Sequence, residues 1–147
     1  MAGPRERADV VFFARVGMIE RLATQRLERA LPEGLSAAGL AVLSRIALAD
    51  APPTPQQLAT ELKLSKPAMT HTVQRLECQR LIAVAPDTAD RRRKRVALTR
   101  EGAAALKLAS LAVRPKLDAV RAAFDAVEFE AMLPFLDRLA AWLAMHP

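Results

Sequence analysis

The chain has no tyrosine, one cysteine and two histidines among its 147 residues. One cysteine rules out an internal disulfide framework. Cys78, His71 and His146 lack metal-ligand spacing, so neither a metal nor a cofactor is expected. The five glycines form no phosphate-cradling loop and no G-x-S-x-G turn, which argues against an enzyme. The longest unbroken apolar run, Leu139–Met145, is seven residues, against the ~20 that a membrane helix needs. The apolar patch Val10–Ala14 is broken at once by Arg15 and is too short for a secretory leader. A cytoplasmic protein is the default expectation. Aromatic residues are missing from Ala14 to Ala123; Phe12, Phe13, Phe124, Phe129, Phe135 and Trp142 lie near the two ends. A single-strand-binding surface normally stacks bases on aromatic platforms, and the middle of the chain has none.

What the chain does have is charge in one place. The net charge is +6, and the window Ser65–Arg100 holds nine basic residues against three acidic ones. The remainder, with 13 of each sign, is neutral. A local basic excess without aromatics suits a polyanion held by helix and phosphate contacts, which points to duplex nucleic acid.

Hydrophobic periodicity gives a mainly helical chain. A first helix runs over Arg7–Ala30 between Pro4 and Pro32. A second begins after Ser36 and stops before Pro52-Pro53. Thr54, with Gln57 at the capping-box position and Pro55 at the first helical position, starts a short third helix. Lys63-Leu64 make a tight turn, and Ser65 caps a fourth helix reaching about Gln79. Its residues Met69, Val73 and Leu76 face inward, while Lys66, Thr70, His71, Gln74 and Arg75 face out. Two short strands, Ile82–Ala85 and Arg95–Leu98, enclose a turn-rich stretch and the run Arg91–Arg95, which reads as a hairpin with a basic tip. Thr99 caps a long helix to about Phe124, in which Pro115 predicts a kink or a break. Asp125, with Glu128, caps a last helix in which Pro134 predicts a bend. That helix is apolar on more than one face, wider than a single chain's core requires, which predicts a homodimer through the chain ends. Cys78 reads as a small buried residue rather than a redox switch.

The expected fold class is therefore mainly α with a small β-hairpin wing: a winged helix-turn-helix flanked by terminal dimerisation helices. Residues 1–34 are the N-terminal dimerisation helix, 35–100 the DNA-binding domain, and 101–147 the C-terminal dimerisation helices.

Four pieces of the span Leu35–Gly102, in order, resemble the MarR family of transcription regulators. These are Leu35-Ser36; Pro55-Gln56-Gln57-Leu58-Ala59 through Leu64-Ser65-Lys66-Pro67-Ala68-Met69-Thr70; Asp87-x-x-Asp90-Arg91-Arg92; and Leu98-Thr99-Arg100-Glu101-Gly102. The resemblance implies a dimer on a pseudo-palindromic operator, with the helix from Ser65 in the major groove and the wing in the flanking minor groove. By position Arg92 is then the minor-groove arginine and Asp90 its orienting carboxylate. The candidate DNA contacts are Thr54, Ser65, Lys66, Pro67, Ala68, Thr70, His71, Gln74, Arg75, Asp90, Arg91, Arg92, Arg93 and Lys94. His71 and Gln74 are the base-edge readers, Pro67 and Ala68 fit thymine methyls, and the remaining wing cations touch phosphate. The resemblance also implies a small aromatic or phenolic anion as effector, with Phe12, Arg15, Val16 and Arg45 as its candidate site, and a repressor that the effector releases. Where the family commonly has glycine after the fourth helix, this chain has Arg80, which must adopt a left-handed conformation or end the helix differently. A non-specific architectural DNA binder is the main alternative, ahead of a protein-interaction module.

Overall fold

The computed structural model describes residues 7–146. The element order is α1 (Ala8–Ala30), α2 (Ala37–Ala47), α3 (Pro55–Glu61), α4 (Lys66–Cys78), β1 (Ile82–Pro86), β2 (Lys94–Leu98), α5 (Arg100–Ala123) and α6 (Ala126–Met145). The two strands form one antiparallel hairpin, registered Ile82 to Leu98 and Pro86 to Lys94.

The chain divides into two compact units, one ending at Val113 and the other starting at Arg114. The core of the first lies between α2, α3, α4 and the hairpin. Val42 and Leu43 of α2, Leu58 of α3, Met69 of α4 and Val96 of β2 are its most deeply buried side chains. Each such side chain contributes about 1.5–3 kcal/mol on leaving water. The inward positions expected on the fourth helix, Met69, Val73 and Leu76, are all buried. In the second unit, Asp125 and Glu128 form a reciprocal capping box at the start of α6, and Phe124 packs edge-on against Phe129.

The helix starts follow the sequence. Ser36 accepts from the Gly39 N–H, Thr54 and Gln57 cap each other reciprocally, and Ser65 accepts from the Ala68 N–H. The helix ends show two left-handed turns, of which only that at Arg80 was among the expectations. Lys63 and Arg80 both have positive φ, 54° and 59°. After α3 the Leu64 N–H bonds the Ala59 carbonyl; after α4 the Leu81 N–H bonds the Leu76 carbonyl and the Arg80 N–H that of Glu77. This is the Schellman arrangement that glycine usually serves, built here on two cations. Arg80 thus takes the left-handed conformation.

Two expectations are corrected and one is narrowed. Each strand is one residue longer than predicted, so Pro86 joins β1, Lys94 joins β2, and the basic tip between the strands ends at Arg93. Pro115 does not break its helix, which runs through to Ala123. The proline removes one N–H, that which would have bonded the carbonyl of Leu111, and Leu111 is an exposed residue. Cys78 is exposed at the end of α4, not buried, because it falls two positions beyond Leu76, the last residue of the inward-facing stripe, and so on the opposite side of the helix.

Gly102 joins the hairpin to α5. Thr99 caps this helix: its hydroxyl accepts from the Gly102 N–H at 2.9 Å and donates to the Arg80 carbonyl at 2.7 Å. The Thr99 N–H bonds the Leu81 carbonyl at 3.2 Å. A Cβ on Gly102 would stand 1.9 Å from that same oxygen, so no other residue fits without moving backbone.

Candidate nucleic-acid interface

The side chains of α4 divide cleanly. Ser65, Lys66, Pro67, Ala68, Thr70, His71, Gln74 and Arg75 are all exposed, and Met69, Thr72, Val73 and Leu76 are buried. Thr72 reaches burial by donating its hydroxyl to the Ala68 carbonyl at 2.9 Å. The outer face is thus a polar strip held rigidly by the core beneath it.

An open groove of about 910 Å³ separates this strip from the wing. Thr54 and Gln57 of the third-helix cap, with Lys66 and Thr70 of α4, line one side; Arg92, Arg93, Lys94 and Arg95 line the other. Of the predicted contact residues, Thr54, Lys66, Thr70, Arg92, Arg93 and Lys94 therefore share one groove. Ser65, Pro67, Ala68, His71, Gln74 and Arg75 lie outside it along α4, and Asp90 and Arg91 are exposed on the wing. His71 and Arg75 instead flank a small cleft shared with Gly34, Ser36 and Gln79. The Arg75 guanidinium and the Gln79 amide both donate to the Gly34 carbonyl, at 3.4 and 2.9 Å. Gly34 presents that carbonyl from a backbone with φ of 83°, which suits glycine.

The wing's acidic residues act on its backbone. Asp90 accepts the backbone N–H of Arg92 at 3.0 Å, while its other oxygen faces the Arg93 guanidinium at 3.7 Å. It orients the backbone at Arg92 rather than that residue's side chain. Asp87, which the sequence marked only as part of a pattern, is buried. Its Oδ1 accepts from the N–H groups of Ala89 and Asp90 at 2.7 and 3.3 Å, and its Oδ2 from Arg95 Nε. The Ala89 N–H, then the Arg95 guanidinium, then the Asp90 N–H hold the Asp87 carboxyl below the usual carboxylate range. Arg95 also donates through Nη1 to the Pro52 carbonyl at 3.0 Å. An aspartate that opens a turn and bonds N–H groups two and three residues on is an Asx-type signal, and it was available in the sequence. The partner of Arg95, a carbonyl 43 residues away, was not.

The four candidate effector residues lie on two helices. Phe12, Arg15 and Val16 are on α1, where Phe12 packs edge-on against Phe13 with centroids 5.6 Å apart. Arg45 is on α2 and is paired with Glu61 of α3. Among the described residues no cluster of His, Cys, Asp or Glu is arranged to hold a metal ion, and no helix is long and apolar enough to cross a membrane.

Residues 33–93 match the MarR family. No curated protein sequence matches the chain. Among solved structures it is similar to a probable transcriptional regulator from Pseudomonas aeruginosa, at 28% identity and a TM-score of 0.71, covering 84% of this chain and 96% of that one. It is similar in fold to a MarR/EmrR family transcriptional regulator from Acinetobacter sp. ADP1, at 20% identity and a TM-score of 0.81, covering 95% and 99%. It is likewise similar in fold to CouR from Rhodococcus jostii RHA1, solved bound to p-coumaroyl-CoA, at 22% identity and a TM-score of 0.76, covering 90% and 92%. The sequence match to the MarR family is thus confined to residues 33–93, the winged helix-turn-helix, and the fold of the chain is similar to that of solved MarR-family regulators.

Proposed function

We infer that the chain is a sequence-specific, duplex-DNA-binding transcription regulator that acts as a homodimer. The observation that carries this reading is the groove in which Lys66, Arg92, Arg93 and Lys94 converge on the polar strip of α4. In this reading α4 enters the major groove. His71 and Gln74 meet base edges there, and Pro67 and Ala68 meet thymine methyls. Lys66, Arg91, Arg93 and Lys94 neutralise phosphates, and Arg92 enters the narrow flanking minor groove, where the field of an A·T tract attracts arginine.

Dimerisation is supported by the chain ends. No residue of α1 or of α6 is buried, yet Phe13, Ile19, Phe129, Leu133, Phe135 and Trp142 are large, apolar and exposed. Apolar surface left open along a whole helix calls for a partner, and a second copy satisfies it symmetrically. Residues 1–34 and 101–147 then serve dimerisation and 35–100 DNA binding. Two copies present their α4 helices about one DNA turn, ~34 Å, apart, which matches a pseudo-palindrome.

The regulatory reading is a repressor released by a small aromatic anion. CouR supports it as a protein of this fold with an aromatic thioester bound. Phe12 and Val16 supply an apolar wall and Arg15 a charge; Arg45 must leave Glu61 to take part. The effector acts only by its differential affinity for two dimer geometries.

Fluorescence anisotropy on the duplex upstream of the protein's own gene, against a scrambled duplex at two salt concentrations, tests this. Tighter binding to the native duplex by two or more decades is expected. Equal binding to both, falling steeply with salt, favours the architectural alternative. No binding to either refutes the DNA reading.

A further inference from the structure

We propose that Asp87 and Arg95 are positioning residues for DNA recognition: together they bolt the wing to the loop before α3 and so set where Arg92 stands relative to α4. The proposal rests on the DNA-binding reading above.

Three bonds make the bolt. Arg95 spends its Nε on the Asp87 carboxylate and its Nη1 on the Pro52 carbonyl. One residue on, the Val96 N–H bonds the Pro53 carbonyl at 2.9 Å. The wing's second strand is therefore stitched to the Pro52-Pro53 segment that leads directly into Thr54, the cap of α3 and one wall of the groove. The other oxygen of Asp87 gathers the tip through the Ala89 and Asp90 N–H groups, and the Asp87 N–H bonds the Arg93 carbonyl at 2.9 Å. The Arg93 N–H in turn bonds the Asp90 carbonyl at 2.9 Å. Arg92 sits inside this closed turn. Its backbone N–H is held by Asp90, whose own N–H is held by Asp87. A shift at Asp87 thus propagates to Arg92 within two bonds.

The chemistry needs an arginine at this place. A guanidinium offers separate N–H groups on a rigid fork, so one side chain serves a carboxylate and a carbonyl in different directions. A lysine keeps the charge but is a single point and cannot occupy both positions. Asp87, at 7% exposure, is shielded from a duplex and acts through its neighbours.

Charge and position make opposite predictions, which gives the test. Asp87→Asn removes a negative charge beside the groove. If that charge only repelled phosphate, D87N would bind a duplex more tightly. Arg95→Lys keeps the charge, so it would bind as wild type does if Arg95 only attracted phosphate. Full-length wild type, D87N, R95K and R95A are compared on the duplex that the wild type protects, by anisotropy and hydroxyl-radical footprinting. Far-UV circular dichroism confirms the helices, and amide hydrogen exchange at Ala89, Asp90 and Arg93 reports the wing without DNA.

The expected result is a loss of roughly tenfold or more for D87N and R95K alike, the scale of one good contact. Protection is lost at the flanks and kept at the centre, and exchange at the wing tip is faster. Tighter binding by D87N together with wild-type binding by R95K overturns the proposal. So does normal flank protection alongside accelerated exchange, since the bolt would then matter to the wing but not to recognition. A wild-type chain that protects no duplex removes the DNA reading, and the wing's role with it.

Discussion

Replacing Gly102 with alanine tests how closely α5 is seated on the turn after α4. The added Cβ would lie 1.9 Å from the Leu81 carbonyl oxygen, 2.9 Å from its carbon and 3.0 Å from Leu98 Cδ1. The oxygen must retreat by about an ångström, and it belongs to backbone that also accepts the Thr99 N–H and donates to Leu76. Overpacking of this kind costs about 1–3 kcal/mol. The strained Thr99 bond adds about 1 kcal/mol, and alanine's better helix propensity returns at most about 1 kcal/mol. The net expectation is a loss of about 1–3 kcal/mol. Gly39 is a matched control, because it occupies the same third helical position in α2. Its N–H likewise bonds a cap hydroxyl, that of Ser36, at 3.1 Å. A Cβ there meets only side-chain atoms, Leu35 Cδ1 at 3.1 Å, Ser36 Oγ at 3.3 Å and Leu76 Cδ2 at 3.4 Å, which can give way. Thermal and urea unfolding of both variants at one fixed protomer concentration should show G102A lower in Tm by about 2–4 °C per kcal/mol lost. G39A should stay within about 1 kcal/mol of wild type. If G102A is no more destabilised than G39A, the seating argument is wrong.

Other outcomes follow from the same geometry. Arg92→Ala should weaken operator binding by about 1–3 kcal/mol in a titration at fixed salt, and unchanged affinity would remove Arg92 from the interface. Arg80→Gly and Lys63→Gly should each stabilise the fold by about 0.5–1 kcal/mol in urea melts at high salt, because the left-handed conformation costs a side-chain-bearing residue more than glycine. The gain should shrink at low salt, where each cation also interacts favourably with its helix C-terminus. The Asp87 carboxyl is more acidic in the fold than in the unfolded chain, so its support for the wing is complete above the ordinary carboxylate range and fades as pH falls through the folded value. In an acid titration, amide exchange at Ala89 and Asp90, taken relative to an unstructured peptide at the same pH, should therefore be flat near neutral pH and rise below the ordinary carboxylate range, about pH 4; D87N should show no such step. Leu136→Glu in α6 should shift the chain from dimer to monomer in sedimentation, and an unchanged dimer would move the interface elsewhere.

Local chemistry could be read from the sequence wherever it determined the outcome. Ser36, Thr54, Ser65 and Asp125 each start the helix expected of them, since a cap and its partner lie within three residues. The outer face of α4 followed from its period. What the sequence did not reveal rests on contacts between distant residues. Nothing near Arg95 distinguishes it from Arg91 or Arg93, yet it alone of the three turns to Pro52. Arg45 entered only as a candidate effector residue, and nothing local pointed to Glu61, 16 residues on, which the fold brings against it. The left-handed turn at Lys63 was hidden because a lysine there gives no sign of it, whereas the site of Arg80 was flagged by a resemblance and not by its own chemistry.

The Pro52-Pro53 segment carries one more consequence. Both carbonyls that receive the wing belong to residues whose φ is already set by a ring. The acceptors lose little freedom when they are used, and the tip they hold is closed by its own backbone bonds. The ordering entropy of the wing is therefore met largely when the chain folds, not when it meets a ligand. A surface prepared in this way keeps more of its contact energy as affinity than a floppy basic loop of the same charge does.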